Sequence, residues 1–372
     1  MPKKILIIAG EASGDLYGAH LVRALKGLLP DAVFTGVGGS KMREAGVEIL
    51  HSIDDLAIIG VFEVLPRINV IKNLFSLLKR KIEADKFDAA ILVNYPGFNL
   101  RFAKVLKSRR IPVIFYSSPQ VWAWAGWRLR AIRKYIDKMM VFFKFEEEFY
   151  KKNRIEAEFV GHPLVDIVKP VKDGEIKRNS LLKTVSLVPG SRRSEIESLF
   201  LTMLEAARLM WHEDKNIRFL VTKHPEISPE IYLKKMERYN LPLELVDGRI
   251  HDCLKASDLA IVVSGSVTLE AGILRVPMII TNRLSFLNAI IYLLLVRLDN
   301  IGLVNIIAGK RIVPELVQYD ATPRKLAREA LLILKNEQRY KRIKEDLSTV
   351  NKLLGPPGAS DRAALSIAKL LT

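Results

Sequence analysis

Residues 184–211 read TVSLVPGSRRSEIESLFLTMLEAARLMW. TVSLVP is a short apolar run rich in β-branched residues, the pattern of a buried strand. Beyond the PGSRR turn, apolar residues recur at Ile196, Leu199, Phe200, Met203, Leu204 and Ala207, the spacing of one helix face. Ser194 and Glu197 have the form of a capping box at the start of that helix. A strand that turns through small residues into a helix is the repeating unit of a parallel α/β layer. The same alternation runs through KILIIA, AAILVN, IPVIFY, KMMVFF, IRFLVT, LELVD and LAIVVS.

A chain of 372 residues exceeds what one hydrophobic core usually serves, so two domains are expected. The stretch HPLVDIVKPVKDGEIKRN, from His162 to Asn179, is polar, carries two prolines and separates two strand–helix series, as an interdomain linker would. Each series, about 1–165 and 180–335, fits a doubly wound sheet, and ligand is expected in the cleft between them, outside the carboxyl ends of the strands.

Composition narrows the classes. With 49 % hydrophobic and 27 % charged residues the chain is globular, not disordered. The single cysteine, Cys253, excludes a disulfide framework and any cysteine-based zinc or iron–sulfur site, which suits a reducing cytoplasm. MPKKILIIAGEASGD has too short an apolar run for a signal peptide and reads as a first strand. The apolar tract AIIYLLLV at 289–296 is far shorter than the roughly 20 residues of a spanning helix. A formal net charge of +17 predicts attraction to an acidic surface or a phosphorylated substrate.

Three strands end in small-residue loops that lead into helices: AGEASGDLYGAHL, VPGSRRSEI and VSGSVTLEAG. Helix starts offer unpaired N–H groups and a positive dipole end, and glycine or serine lets a phosphate approach the backbone. Arg192 adds a guanidinium fork that pairs bidentately with phosphate oxygens. No Gly-Lys-Ser/Thr P-loop and no G-x-G-x-x-G is present, which argues against ATP hydrolysis and dinucleotide binding. The six histidines lack metal-ligand spacing, so a diphosphate site that uses no metal and no cofactor is expected.

In SPQVWAWAGWRLRAIRK, residues 118–134, Trp122, Trp124 and Trp127 crowd against Arg128, Arg130, Arg133 and Lys134. In PRINVIKNLFSLLKRKI, an apolar stripe at Ile68, Ile71, Phe75, Leu78 and Ile82 adjoins several cations. Packing on the domain's own sheet accounts for either stretch. Together they also suit a ligand that is greasy and anionic, or a membrane interface. No helix-turn-helix or aromatic RNA-binding signature appears, so nucleic acid is not an expected partner.

Taken in order, these motifs resemble the lipid-A-disaccharide synthase family, glycosyltransferases of the lipid A pathway. The matching stretches are GEASGD from Gly10 with Gly18, Gly60 with Glu63–Leu65, YPGFNLR from Tyr95, SPQVWAW and VGHPLVD from Val160. PGSRRSEI, SGSVTLE, VNIIAGKRIVPELVQ from Val304 and GASDRAA from Gly358 complete the series. The resemblance implies the α/β GT-B fold, with an acceptor domain at 1–168, a UDP-sugar domain at 169–344 and C-terminal helices at 345–372 that return to the first. It implies transfer of 2,3-diacylglucosamine from its UDP derivative to 2,3-diacylglucosamine 1-phosphate (lipid X), at the cytoplasmic face of the inner membrane on an anionic surface. A homodimer is compatible with it.

Residue by residue, the resemblance places Ser191 and Arg192 on the UDP diphosphate, with Ser264, Gly265 and Ser266 at the next helix start. It places Glu270 on the ribose and makes Asn305, Glu315 and Gln318 further donor contacts. Ser13, Gly14 and Asp15 would face the cleft, and Trp122, Trp124, Trp127 and Arg128 would receive the acceptor or the membrane. The chain departs from the family at Asn94 and Gly97, where members carry an aspartate that is the usual candidate base, and at Lys144, where proline is common. Of the remaining carboxylates Asp15, Glu11 and Glu63, Asp15 is the expected base. The rival readings are another UDP-sugar enzyme of this fold, such as an epimerase, and a non-catalytic lipid-binding relative.

Overall fold

The computed structural model describes residues 2–53, 68–168, 176, 181–283 and 300–371. Glu63, the apolar tract at 289–296 and most of the expected linker lie outside the described residues.

The described chain divides into two compact units, one of 2–166 with 354–371 and one of 167–283 with 300–353. The first holds strands β1 (Lys4–Ala9), β2 (Val33–Gly38), β3 (Val47–Ser52), β4 (Ala89–Val93), β5 (Val113–Tyr116), β6 (Lys138–Val141) and β7 (Ala157–Phe159), in the spatial order β3-β2-β1-β4-β5-β6-β7. The second holds β8 (Lys183–Val188), β9 (Ile217–Lys223), β10 (Leu243–Asp247), β11 (Leu259–Val263), β12 (Met278–Asn282) and β13 (Glu315–Val317), ordered β10-β9-β8-β11-β12-β13. Every strand pair is parallel. Parallel strands covered on both faces need continuous apolar sequence, and AAILV and LAIVV are buried at every position.

The helices are α1 (Ala12–Leu28), α2 (Ser40–Glu44), α3 (Ile68–Ala84), α4 (Pro96–Ser108), α5 (Leu129–Tyr135), α6 (Lys144–Lys152) and α7 (Leu164–Ile167). They continue as α8 (Arg193–Glu213), α9 (Pro229–Met236), α10 (Ile250–Ala256), α11 (Val267–Ile273), α12 (Leu303–Ala308), α13 (Pro323–Lys335), α14 (Glu337–Leu353) and α15 (Ala359–Leu371). In each sheet the strand order reverses once, between β1 and β4 and between β8 and β11. Loops leaving those neighbours run in opposite directions and open a crevice at the carboxyl edge, where doubly wound sheets bind ligands.

The apolar stripe of α3 lies in the core of its own unit. Leu74, Leu78 and Ile82 join the cluster with Leu92, Phe102 and Phe115, and the Phe75 ring stands edge-on to Phe102 at 5.2 Å. Burying each such side chain stabilises the fold by about 1.5–3 kcal/mol, which outweighs what an interfacial helix face would gain by staying exposed. Of the two readings of this stripe, packing on the domain's own sheet is the one seen, with Lys79 and Arg80 exposed and Lys81 paired to Asp85 at 3.0 Å.

The return to the first unit begins at Leu354, nine residues later than expected, because α14 packs on α11 and α12 and buries Ile343, Leu347 and Val350 in the second unit. Helix α15 then packs on α1 and buries Ala359, Ala363, Ala364, Ile367 and Leu371. Asp166 holds its start by accepting the N–H groups of Gly358 and Ala359, and Arg362 donates to the carbonyl of Val160 at 2.9 Å. Among the described residues, no helix is long and apolar enough to cross a membrane.

Candidate active site

At the first crevice β1 leads into Gly10 and Glu11, and β4 leads into Asn94 and Tyr95. Asn94 and Tyr95 are both left-handed, with φ of 49° and 48°, a conformation that non-glycine residues rarely adopt twice in succession. The Asn99 amide holds this turn, donating to the carbonyl of Asn94 at 2.7 Å. The turn lays the Tyr95 ring over Gly10, where a Cβ would come within 2.3 Å of it, so only glycine fits. It also aims Asn94 across the crevice: Nδ2 donates to Glu11 Oε1 at 2.5 Å. Burial, and after it the charge of Glu11, raises the Tyr95 hydroxyl pKa above its ordinary value. Backbone strain stored at a strand end is the kind found at functional sites.

Asp15 does not reach this crevice. It is 3 % exposed, and its carboxylate accepts the N–H groups of Gly39 at 2.7 Å, Lys41 at 3.1 Å and Met42 at 3.0 Å. These are the orphan donors at the start of α2, so Asp15 caps that helix from α1. To act as a base it would have to give up these backbone bonds while 3 % exposed. Gly14 is buried beside Ala9 and Val93 and lets α1 approach the sheet, while Ser13 is half-buried in the first turn. A Cβ at Gly97 would meet nothing within 4 Å among the described residues.

At the second crevice β8 runs through Gly190, whose φ of 113° favours glycine, to Ser191 and Arg192 at the start of α8. Ser194 and Glu197 form no capping box. Glu195 instead reaches back to the N–H of Ser191 at 2.9 Å and to Arg192 Nη1 at 2.9 Å, and Glu197 pairs with Arg193. Across the crevice, Ser264 donates its N–H to Thr281 and its hydroxyl to the carbonyl of Ile301. Gly265 and Ser266 are exposed and lead into α11. Glu270 accepts from Ser266 at 3.2 Å and meets His251 Nε2 at 2.9 Å, a partner that no local sequence pattern announces.

Two expected donor contacts have other work. Asn305 is fully buried; its Oδ1 accepts the N–H groups of Ile312 and Val313, and its Nδ2 donates to Val313 and Glu315. Glu315 caps the start of α12 through the N–H groups of Ile301 and Gly302. Both shape the segment against which Ser264 is tied. Gln318 is half-buried with φ of 51°.

The three tryptophans divide. Trp122 is half-buried and donates to Glu146 Oε1 at 3.0 Å. Glu146 is 2 % exposed, and burial pushes its carboxyl up to about 7. Trp124 carries the Arg128 guanidinium over its ring at 4.8 Å, and Trp127 stands 65 % exposed beside it. Lys144 lies exposed on α6, paired with Glu147.

Two doubly wound parallel sheets, each with a loop crevice at its switch point, are the architecture of the two-domain GT-B fold. A kitacinnamycin glycosyltransferase shares this fold, with a TM-score of 0.68 and 14 % identity over 100 % of both chains. So does the UDP-GlcNAc 2-epimerase of Neisseria meningitidis, solved bound to UDP-GlcNAc, with a TM-score of 0.67 and 11 % identity over 98 % of this chain and 100 % of that one. A family model described as lipid-A-disaccharide synthetase matches residues 5–367. The lipid-A-disaccharide synthase of Syntrophus aciditrophicus is 40 % identical over 99 % of this chain and 98 % of its own. The chain belongs to the lipid-A-disaccharide synthetase family.

Proposed function

We propose that this chain transfers 2,3-diacylglucosamine from its UDP derivative to 2,3-diacylglucosamine 1-phosphate, forming the β-1,6-linked disaccharide 1-phosphate and UDP with inversion. Family membership over nearly the whole chain supports this above the epimerase reading, since likeness of fold alone does not choose between them. Inverting transfer requires attack of the acceptor hydroxyl on the anomeric carbon, departure of UDP from the opposite face, and a group that takes the hydroxyl proton.

Leaving-group charge falls to the second unit. Arg192 and the N–H groups of Gly265 and Ser266 are fixed donors where the diphosphate becomes more negative, and Glu270, steadied by His251, suits the ribose hydroxyls. Proton removal falls to the first unit. The observation that carries the assignment is the Asn94–Glu11 bond across the β1/β4 crevice: Glu11 replaces Asp15 as base, and Asn94 orients its carboxylate. The enzyme works as a peripheral protein on the cytoplasmic face of the inner membrane, drawn there by its net charge of +17 and by the exposed Trp127.

Incubation with UDP-2,3-diacylglucosamine and the diacyl monosaccharide phosphate, followed by mass spectrometry, tests this directly. UDP and the disaccharide phosphate are expected; an isomerised nucleotide sugar, or no product, would sink the assignment.

A further inference from the structure

The turn that leaves β11 at the second switch point carries Ser266 and, one helical turn further on, Glu270. The turn that leaves β10 opens at the same edge of the sheet, and the helix it starts, α10, packs on β9, β8 and α11. His251, in the first turn of α10, thereby reaches Glu270 from 19 residues away: its Nε2 stands 2.9 Å from Oε2. A carboxylate only accepts, so the proton of that bond sits on Nε2. The other oxygen, Oε1, accepts from the Ser266 hydroxyl at 3.2 Å.

A glutamate in the first turn of a helix is otherwise free to swing through its rotamers. Here each oxygen is held from a different element, so the carboxylate plane is fixed. An ionised carboxylate offers about four lone-pair sites, and these two bonds leave one free on each oxygen. Two neighbouring hydroxyls on one sugar ring supply the matching pair of donors, and acidic side chains beside such switch points read ribose in this way. The Glu270 side chain is 13 % exposed and that of His251 24 %, so a hydroxyl missing from the ligand would leave a sheltered acceptor without a donor. Helix α10 does not depend on His251 for its own place, since Cys253 and Leu254 are fully buried and Arg249 pairs with Asp252 at 3.0 Å.

We infer that His251 is a specificity-setting positioning residue: by holding Glu270 against Ser266 it presents one carboxylate to both ribose hydroxyls, and the enzyme thereby prefers ribonucleotide donors to 2′-deoxy ones. This rests on the function proposed above and adds to it the residue, on a different helix, that makes the ribose contact selective.

The test is calorimetric binding of UDP and of 2′-deoxy-UDP to the unaltered protein and to purified His251→Phe, His251→Ala and His251→Gln. A hydrogen bond to a charged group is at stake, so the unaltered protein should prefer UDP by about tenfold or more. His251→Phe keeps a ring without the donor, and His251→Ala removes the donor without a ring. In both, the preference should shrink toward unity through weaker UDP binding, with 2′-deoxy-UDP little affected. His251→Gln, whose amide can donate to the same oxygen, should recover much of it. In turnover, the donor KM should rise in the Phe and Ala variants while the acceptor KM stays unchanged. Equal affinities for the two nucleotides in the unaltered protein overturn the inference. So does an undiminished preference in the Phe and Ala variants, or an equal loss on both nucleotides, which would make His251 a packing residue only. The readout needs neither acceptor nor turnover: a protein that binds UDP selectively but makes no disaccharide sinks the proposed function and upholds this site, whereas one that binds no UDP overturns both.

Discussion

Arg192 donates from Nη1 to Glu195 Oε1 at 2.9 Å, while the other oxygen of the same carboxylate takes the N–H of Ser191. Glu195 thus engages the two donors assigned to the UDP diphosphate, and an incoming diphosphate must compete with it. Arg192→Ala is expected to lower turnover on the order of 100-fold or more, as removal of one preorganised charge donor does. Glu195→Gln keeps a hydrogen-bond acceptor but removes the competing charge, so UDP should bind several-fold more tightly by calorimetry. Unchanged kinetics in folded Arg192→Ala would refute the diphosphate assignment.

Glu11 and Asp15 separate by readout. Glu11→Gln should lower kcat by about 100- to 10,000-fold with little change in stability, the range for a lost general base. Asp15→Asn should act on the fold, lowering stability by about 1.5–3 kcal/mol in urea unfolding, because charge-assisted bonds to three backbone donors weaken. The reverse pattern would restore Asp15 as the base.

Asn94→Asp places a second carboxylate within hydrogen-bond distance of Glu11. Like charges that close share a proton, so one pKa of the pair rises. The basic limb of activity against pH should gain and the acidic limb lose, with the apparent pKa of kcat moved upward. An unmoved pH profile would place the proton transfer elsewhere.

Glu146 carries a pH signature. Its carboxyl is pushed up from 4.5 to about 7 in the folded chain by burial, so between those values the folded state binds more protons than the unfolded one. Stability from this group is therefore greatest below pH 4.5, falls as pH rises, and levels off above about 7. Relative to the parent, Glu146→Gln should gain stability progressively over that window, by up to roughly 3 kcal/mol. Parallel pH profiles for the two proteins would contradict the buried-carboxyl account.

Binding to anionic vesicles should weaken with added salt. Trp127→Ala should reduce it further, whereas Trp122→Ala should chiefly destabilise the fold, since its indole N–H is bonded to a buried carboxylate. Co-sedimentation and thermal unfolding of the two variants would distinguish these roles.

The alternation in residues 184–211 was legible because strand and helix periodicities are local. So were the small-residue turns, where Gly10 makes room for the Tyr95 ring and Gly190 takes a φ of 113°. What escaped the sequence were pairings across distance. Asp15 resembled a cleft carboxylate because the donors it caps lie 24 to 27 residues away. Asn305 and Glu315 resembled ligand contacts, yet each satisfies the other's segment in a loop that only the fold closes. The α3 stripe had the right period for either a membrane or a core, and only the facing Phe102 decided it.

The grip of Asp166 on Gly358 and Ala359 also bears on synthesis. The first sheet leaves the ribosome early, but α15, which covers α1, follows the second unit in the chain. Roughly 190 residues of the second unit intervene, about 10–40 s at ordinary translation rates. Through that interval the nascent first unit exposes the apolar face of α1 that Ala363, Ala364 and Ile367 will cover, and a chain that stops short of Leu354 never covers it. Residues from Leu354 onward thus act as a closing piece: only a chain translated through α15 can close the unit that was built first.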